Sequence, residues 1–274
     1  MKKQATLGNS LPPVCRLGLA TRGNTHLDVD DVFHAYHRGI NYWNWCGHED
    51  GMSRAVGELG SNRGSVVVAT QISAAGWTRD EMWREITAAL DTLQTDYLDV
   101  VTLYYVESRH EWDEIVSSAG SIHALQEARD EGVVRAVGLT THQRDLAAEW
   151  VQTGLLDLLM VRYNAAHRGA EQDVFPMTDC LGVPTICFTC LRWGKLLKPT
   201  CEGPSGLSVP PAREWYRFVL SNPSVAVALM APNGRDELDD NLLLLDDWQS
   251  VAPLEHERLC AHGDRVRQRA GPFP

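Results

Sequence analysis

Eight short apolar runs, each followed by a segment with helical periodicity, restrict most strongly how this chain can fold. The runs are apolar on both faces, as the strands of a parallel sheet covered on both sides are. They lie at Val14–Ala20, Ile40–Trp45, Val66–Ile72, Leu98–Tyr105, Val134–Thr140, Leu156–Tyr163, Val183–Phe188 and Val225–Met230. Eight strand–helix units predict a closed (β/α)8 TIM barrel, with an open parallel sheet as the alternative.

The segments between the runs have the periodicity of helices. Thr78, with Glu81 three residues later, suits a capping box at the start of one helix. The chain has 274 residues, close to the ~250 of one such barrel, so residues 1–274 are expected to form a single domain. The expected helices are Val29–Arg38, Ser53–Leu59, Arg79–Leu93, Ser121–Glu131, Asp145–Thr153, Gln172–Leu181, Arg213–Ser221 and Arg235–Leu245, with one more near Leu254–Arg269.

The charge balance restricts the partners. The formal net charge is −11, whereas nucleic acids and anionic membranes attract clustered Lys and Arg. A small molecule is therefore the expected partner, without nucleic acid or membrane, and the composition leaves the oligomeric state open. The seven cysteines have no scaffold spacing, and no apolar export segment follows Lys2 and Lys3. Free thiols and a cytoplasmic location are therefore expected.

Residues at the carboxyl ends of barrel strands face the active-site mouth. This rule selects Asn44, Gln71, Tyr104, Thr140, Arg162, Asn164 and Thr189. Because successive strand residues alternate in direction, Tyr104 is expected to point into the mouth and Tyr105 away from it. The Pro- and Gly-rich segment Lys198–Pro211 is expected to be either a mobile connection or a lid over the mouth.

The strand-end motifs, taken in order, resemble those of aldo-keto reductases. The matching segments are Arg16–Thr21, Gly39–Asn44, Val66–Gln71, Thr95–Val100, Glu131–Thr140, Arg162–Asn164, Phe188–Gly194 and Glu237–Asn241. Each motif is weak by itself, but together they cover roughly residues 14 to 245 with consistent spacing.

The resemblance implies a catalytic tetrad. In the family a Tyr protonates the substrate carbonyl while NADPH delivers hydride, a Lys paired with an Asp lowers the pKa of that Tyr, and a His orients the carbonyl. The matching positions are Asn44 for the Asp, Glu49 for the Tyr, Gln71 for the Lys and Tyr104 for the His. None of the four groups is retained, and the two amides can hydrogen-bond to each other in place of an ion pair.

Two of the substituted positions, Glu49 and Tyr104, each allow two interpretations. Glu49 is either a general base in a partly dry mouth or a solvated loop residue. Tyr104 either donates a hydrogen bond to a substrate oxygen or only lines the pocket.

The resemblance also implies NADP as cofactor, with weakened anchoring of its nicotinamide. Thr140, Thr141, Met160 and Phe188 occupy the nicotinamide positions, where the family has Ser, Asn, Gln and a stacking aromatic ring. The diphosphate and adenosine positions are Thr189, Leu191, Gly194, Glu237 and Asn241. Arg235 lies where a basic residue would meet the 2′-phosphate, which a guanidinium binds well.

Other candidates belong to the pocket or the core. The residues expected near a substrate are Trp45, Cys46, His48, Asn164 and Trp193. Cys46, His48 and Glu49 would need a further ligand to hold a metal, such as His142 or His167, so no metal site is expected. Cys187 and Cys190 lie at the end of a strand rather than at the start of a helix, which favours core thiols over a redox pair.

Three functions remain open. The first is a diverged enzyme for a small carbonyl- or hydroxyl-containing molecule, with Glu49 and Tyr104 catalysing proton transfer, elimination or isomerisation. The second is an NADPH-dependent oxidoreductase that uses a substitute proton donor. The third is a non-catalytic binding or regulatory barrel. Hydride chemistry belongs mainly to the cofactor, so some reduction can survive loss of the tetrad.

Overall fold

Eight parallel strands close into a barrel, which confirms the predicted fold class. The computed structural model describes residues 1–21, 27–200 and 209–269. The strands are β1 (Gln4–Ala5), β2 (Val14–Cys15), β3 (Leu17–Ala20), β4 (Tyr42–Trp45), β5 (Val67–Ile72), β6 (Leu98–Leu103), β7 (Val134–Thr141), β8 (Leu158–Arg162), β9 (Thr185–Phe188) and β10 (Val225–Met230). The last eight form the barrel in the order β3 to β10, and β10 pairs with β3 to close it.

The first apolar run is divided between two sheets. Val14 and Cys15 pair antiparallel with Gln4 and Ala5, and only the residues from Leu17 onward enter the barrel. Leu7, Leu11 and Val14 pack in the same apolar cluster as Tyr42 and Val67, the first residues of β4 and β5. This hairpin therefore covers the N-terminal end of the barrel, and the opposite end remains available for a site.

Helices surround the barrel. They are α1 (Val29–His37), α2 (Gly51–Glu58), α3 (Arg79–Leu93), α4 (Arg109–Val116), α5 (Ile122–Asp130), α6 (Arg144–Trp150), α7 (Ala170–Asp173), α8 (Phe175–Leu181), α9 (Ala212–Ser221), α10 (Arg235–Leu242) and α11 (Pro253–Arg269). The capping box predicted at Thr78 is present, and boxes of the same kind begin α1, α2 and α4. The helix α4 was not among the helices expected from the sequence.

The register of the strands places the candidate residues at one end of the barrel. Asn44 lies beside Ala69, and Gln71, two residues further along β5, lies beside Thr102. Tyr104 directly follows β6, and its backbone N–H donates to Ile72 O at 2.9 Å. All three are at the C-terminal mouth, as predicted. In the segment Lys198–Pro211, expected to be a mobile connection or a lid, residues 201–208 lie outside the described part of the chain.

Candidate active site

A cavity opens at the C-terminal mouth of the barrel. Ten of the residues predicted for the site line it: Asn44, Gln71, Tyr104, Thr140, Met160, Phe188, Thr189, Leu191, Trp193 and Gly194. The remaining lining residues are Ala20, Thr21, Tyr105, Cys190, Tyr216, Leu229 and Ala231. Among these described residues none is Asp, Glu, Lys, Arg or His. The wall therefore offers hydroxyl, amide and aromatic groups but no permanent charge.

Asn44 and Gln71 do not satisfy each other. Asn44 is 5% exposed, and its Oδ1 has no hydrogen-bond partner within the described residues. The expected amide–amide hydrogen bond is therefore absent at that oxygen. A buried acceptor without a partner costs ~1–3 kcal/mol of stability. A ligand or a water molecule that binds in the cavity would satisfy it.

Glu49 does not take part in the cavity wall. Its side chain is 76% exposed, and the nearest described cation, Arg54, is 3.9 Å from its carboxylate. The loop from Cys46 to Asp50 directs this side chain into solvent, while Asp50 caps α2 by accepting from Ser53 N. The structure favours the interpretation of Glu49 as a solvated loop residue. A general base in a dry mouth would need to be buried, and Glu49 is not.

Tyr104 and Tyr105 both line the cavity, so the expectation that Tyr105 points away is wrong. The strand ends at Leu103, and Tyr105 has a φ of +48°, which breaks the alternation of side-chain directions. The two rings are 4.0 Å apart. Burial raises the pKa of Tyr105, and Tyr104 adds to the shift through repulsion between the two phenolates and through a hydrogen bond. Tyr105 therefore stays protonated and supports the hydroxyl of Tyr104.

An aromatic layer lies behind the two tyrosines. His142 stacks on Tyr105 with ring centroids 4.6 Å apart, and Phe188 meets His142 edge to face at 5.7 Å. Burial lowers the pKa of His142, and Glu107, with its carboxylate 3.1 Å from His142 Nδ1, opposes that shift. The rings of His142 and Phe188 pack against Tyr105 and help to fix its position.

Backbone strain is concentrated around the same cavity. Non-glycine residues with a left-handed φ in the described chain are Gln94, Tyr105, Thr189, Arg192 and Trp193. Tyr105, Thr189 and Trp193 line the cavity, and only Gln94 is remote from it. Such conformations cost ~1–3 kcal/mol each and are typical of ligand-binding sites. The strain therefore supports this mouth as the candidate site.

A second cavity continues from the first, since Leu191, Tyr216 and Ala231 line both. Glu237 and Asn241, predicted to contact adenosine, lie on its wall. Asn241 is 3% exposed, and its Oδ1 has no hydrogen-bond partner among the described residues. The two cavities together give an elongated site with an unsatisfied buried amide at each end.

Arg235 lies outside both linings. Its Nη1 is 2.6 Å from Asp31 Oδ1, and its Nε is 3.6 Å from Asp239 Oδ2. The guanidinium that the resemblance assigns to a 2′-phosphate is thus held by two carboxylates.

Besides Glu49 and Arg235, six predicted site residues lie behind the cavity walls or away from them. Thr141 is buried and accepts from Gln143 N, and Asn164 donates to Thr189 O. Trp45 is buried in the layer between strands and helices, where its indole donates to His48 O. Cys46 contacts Asp50, and His48 is exposed. Arg162, expected at the mouth, is half-buried, and burial lowers its pKa to about 10. Asn164 thus supports the cavity wall from behind through its bond to Thr189.

Cys187 and Cys190 are both buried, as expected for core thiols. Burial raises the pKa of Cys190 to about 12, so this thiol is protonated at neutral pH. No cluster of three or more His, Cys, Asp or Glu suited to a metal ion occurs in the described ranges.

Cavity residues that lie outside polar strand ends were not predicted from the sequence. Thr21 directly follows β3, so the strand-end rule applied to the first strand would have found it. Tyr216 is buried on α9 and reaches both cavities. Its place on an amphipathic helix gives no signal that distinguishes it from a core aromatic residue.

Comparison with known proteins identifies the class of protein that this fold and mouth define. A family model of the aldo/keto reductase family matches residues 18–207. The chain therefore belongs to the aldo/keto reductase family, which confirms the resemblance found in its strand-end motifs.

Particular relatives are more distant. The NADH-specific methylglyoxal reductase of Escherichia coli (strain K12) is 24% identical over 230 residues, which is 71% of this chain and 69% of the relative. Among solved structures, an aldo-keto reductase from Klebsiella pneumoniae in complex with NADPH superposes with a TM-score of 0.77 at 20% identity, over 96% of both chains. The holo form of an aldo-keto reductase from Bacillus halodurans gives 0.75 at 19% identity, over 95% of this chain and 96% of the other.

Proposed function

We propose that this protein is an oxidoreductase that binds a nicotinamide dinucleotide and reduces a small uncharged carbonyl compound slowly, with Tyr104 as the proton donor. The observation that carries this proposal is the pair of hydroxyls, Tyr104 and Tyr105, on a cavity wall that has no charged group. Methylglyoxal, which names the Escherichia coli relative, is a compound of the right class.

The residues present fit a dinucleotide along the two joined cavities. Asn241 offers an unsatisfied amide oxygen at one end, suited to the amino group of adenine. At the other end, Phe188 offers a ring face, Thr140 a hydroxyl and Asn44 a second unsatisfied oxygen. The cofactor supplies the hydride when bound. The Klebsiella pneumoniae relative is described in complex with NADPH, which supports a cofactor of this kind.

The nicotinamide end is expected to be held more weakly than in an intact reductase. Thr141 has turned away from the cavity, and the hydroxyl of Thr140 contacts Met160 Sδ at 3.6 Å rather than a polar group. Each lost polar contact removes ~0.5–1.5 kcal/mol. Poor anchoring of the reacting ring lowers the rate through lost orientation.

Tyr104 is the best-placed proton donor among the described wall residues. It is 37% exposed, so a substrate oxygen can reach its hydroxyl. Tyr105 remains protonated beside it and stabilises the phenolate that forms when Tyr104 gives up its proton. No cation lies on the described wall to favour that phenolate further, which accounts for the slow reaction that we expect.

Proton-transfer chemistry by Glu49 and Tyr104 together is not favoured, because the exposed carboxylate lies off the cavity that Tyr104 lines. A non-catalytic binding barrel is the second candidate, and the uncharged wall favours it. Both functions involve a small molecule rather than a nucleic acid.

We propose a cytoplasmic location, since the described cysteines are free thiols. No described helix has the length and apolar character needed to span a membrane.

The test compares Tyr104→Phe with wild type. Oxidation of reduced dinucleotide would be followed with methylglyoxal and a panel of aldehydes, and cofactor affinity by fluorescence titration. Loss of a general acid costs ~10²–10⁴ in rate, so turnover should fall by about that factor while affinity is unchanged. Tyr36→Phe is the matched control, because that hydroxyl bonds Ser65 on the surface.

The outcomes separate the candidates. Unchanged turnover in Tyr104→Phe would show that another group donates the proton. Tight cofactor binding with no turnover by wild type on any carbonyl would establish the binding barrel instead. Absence of dinucleotide binding would reject the proposed oxidoreductase.

A further inference from the structure

The second cavity has a strongly acidic wall. Asp236, Glu237 and Asp240 line it, and no Lys or Arg is among the described residues that do so. The carboxylate of Glu237 already accepts from Asn233 N at 2.8 Å, and Asp236 has no ion-pair partner in the described structure. Asp236 and Glu237 therefore give this end of the site negative charge that no described ion pair compensates, whereas Asp240 is paired with Arg213.

Two arginines close to this cavity, Arg235 and Arg213, are already held in ion pairs. Arg235 is held by Asp31 on α1 and by Asp239 on its own helix. Its pKa is raised, first by the hydrogen bond to Asp31, which keeps the guanidinium charged and paired. Arg213, beside the cavity on α9, forms an ion pair with Asp240. Releasing either arginine to an incoming anion would leave an acid without its cation.

A second observation shows that this cavity is built for a ligand. Asn241 is almost completely buried on its wall, yet its Oδ1 has no partner among the described residues. A buried amide oxygen without a partner is costly, and a ligand N–H group entering the cavity would satisfy it. The cavity thus combines an acceptor for a ligand amino group with carboxylates that accept from hydroxyls.

We propose that this end of the site selects an unphosphorylated ribose, so that the protein binds NADH in preference to NADPH. The inference rests on the proposed binding of a dinucleotide along the two cavities. A ribose 2′-hydroxyl can donate to a carboxylate, whereas a 2′-phosphate would meet like charge and find no cation on the described wall. The assignment of Arg235 to a 2′-phosphate, which the sequence alone implied, is thereby replaced.

The test uses probes that lack the nicotinamide, so that it is independent of catalysis. Calorimetric titrations with ADP-ribose and 2′-phospho-ADP-ribose would be made on the full chain, and the pair NADH and NADPH would be compared by fluorescence. ADP-ribose and NADH should each bind about tenfold more tightly than their phosphorylated counterparts. The difference in affinity between the phosphorylated and unphosphorylated probes should become smaller near 1 M salt, where the Debye length falls to about 3 Å.

A matched pair of variants locates the effect. Asp236→Asn with Glu237→Gln keeps the acceptor for Asn233 N and should reduce the preference to about threefold or less. The control, Asp130→Asn with Glu131→Gln, removes the same charge from an exposed Asp–Glu pair at the end of α5. It should leave the preference unchanged.

The outcomes distinguish failure of the cofactor preference from failure of dinucleotide binding itself. Equal or tighter binding of the 2′-phosphorylated probes would overturn the selectivity while leaving dinucleotide binding intact. An equal loss of preference in the control pair would show that total charge, rather than this wall, is responsible. Failure of all four probes to bind would reject the proposed function and this inference with it.

Discussion

At the scale of single residues, the amides Asn44 and Gln71 at the mouth can be replaced by an ion pair, and the effect on stability can be measured. Gln71→Lys alone would put an ammonium group on a wall without a described carboxylate. Because Gln71 is half-buried, we expect a loss of about 1–3 kcal/mol in the free energy of unfolding, less than for a fully buried charge. Adding Asn44→Asp should return most of it, since both side chains face the barrel interior.

Urea denaturation of wild type, both single variants and the double variant would give the coupling energy between the two positions. Purely additive effects would show that residues 44 and 71 are too far apart to interact.

His167 should make the stability depend on pH. Burial, followed by Arg162, Arg192, Arg267 and Arg144, lowers its pKa to about 4. In the unfolded chain His167 therefore becomes protonated near pH 6.5, whereas in the folded chain it stays neutral until about pH 4. This contribution to stability is complete above pH 6.5 and is lost as the pH falls towards 4. His167 is half-exposed, so screening limits the loss to about 1 kcal/mol.

The measurement is denaturation of wild type and His167→Gln at pH 7 and pH 4.5. The variant should lose less stability between the two values than wild type, because it lacks the titrating ring. Parallel pH profiles would contradict the assignment.

Individual site residues were predictable where a regular strand sets their direction. Asn44 and Gln71 follow from their places on β4 and β5. Tyr105 was misassigned because the strand had already ended and its left-handed backbone turns the side chain back to the mouth. Glu49 left two readings open because a loop, rather than a strand, determines which way its side chain points.

At the scale of elements, the strands were predictable because burial on both faces leaves a continuous apolar run. The helix α4 was missed because its eight residues bury little more than Trp112 and Ile115, too few for a clear period. The hairpin β1–β2 was missed because two-residue strands have no pattern of their own. Its pairing depends on contacts that only the closed barrel provides.

The last helix, α11, depends on close approach at Gly263. A Cβ at this position would lie 2.2 Å from Ala165 O in the segment after β8. Gly263→Ala should therefore destabilise the protein by about 1–3 kcal/mol through overpacking, although alanine favours helices. Faster hydrogen exchange confined to α11 would identify the cause as loss of docking.

The control for that variant is Gly64→Ala, since no atom lies within 4 Å of the added Cβ. Its effect should be small and stabilising, by about 0.4–1 kcal/mol. Equal destabilisation by both substitutions would refute the role of the contact with Ala165.

At the scale of the whole molecule, the barrel has its family's architecture, and the two cavities at its mouth differ from each other in charge. The chain has a formal net charge of −11, and carboxylates line the second cavity while the first has none among its described residues. The order of strand-end motifs was enough to predict the barrel and its family. The charge of each cavity was not predictable, because it depends on which side chains from distant loops reach the same wall.

Activity is the property in which we expect the whole molecule to differ most from an intact reductase. Simple aldehydes should be reduced well below the ordinary enzyme range of ~1–10³ s⁻¹, since no cation on the described wall assists a proton donor. The combined variant Asn44→Asp, Glu49→Tyr, Gln71→Lys and Tyr104→His restores the residue types of the tetrad. It should still fail to restore ordinary turnover, because the side chain of residue 49 points into solvent.

The measurement is dinucleotide oxidation with an aldehyde panel by wild type and the combined variant. The variant also removes Tyr104, the proposed donor, so its turnover should not exceed that of wild type. Turnover in the ordinary range by the variant would show that the loop from Cys46 to Asp50 can turn residue 49 into the cavity. The same turnover by wild type would show that the two tyrosines alone replace the tetrad in full.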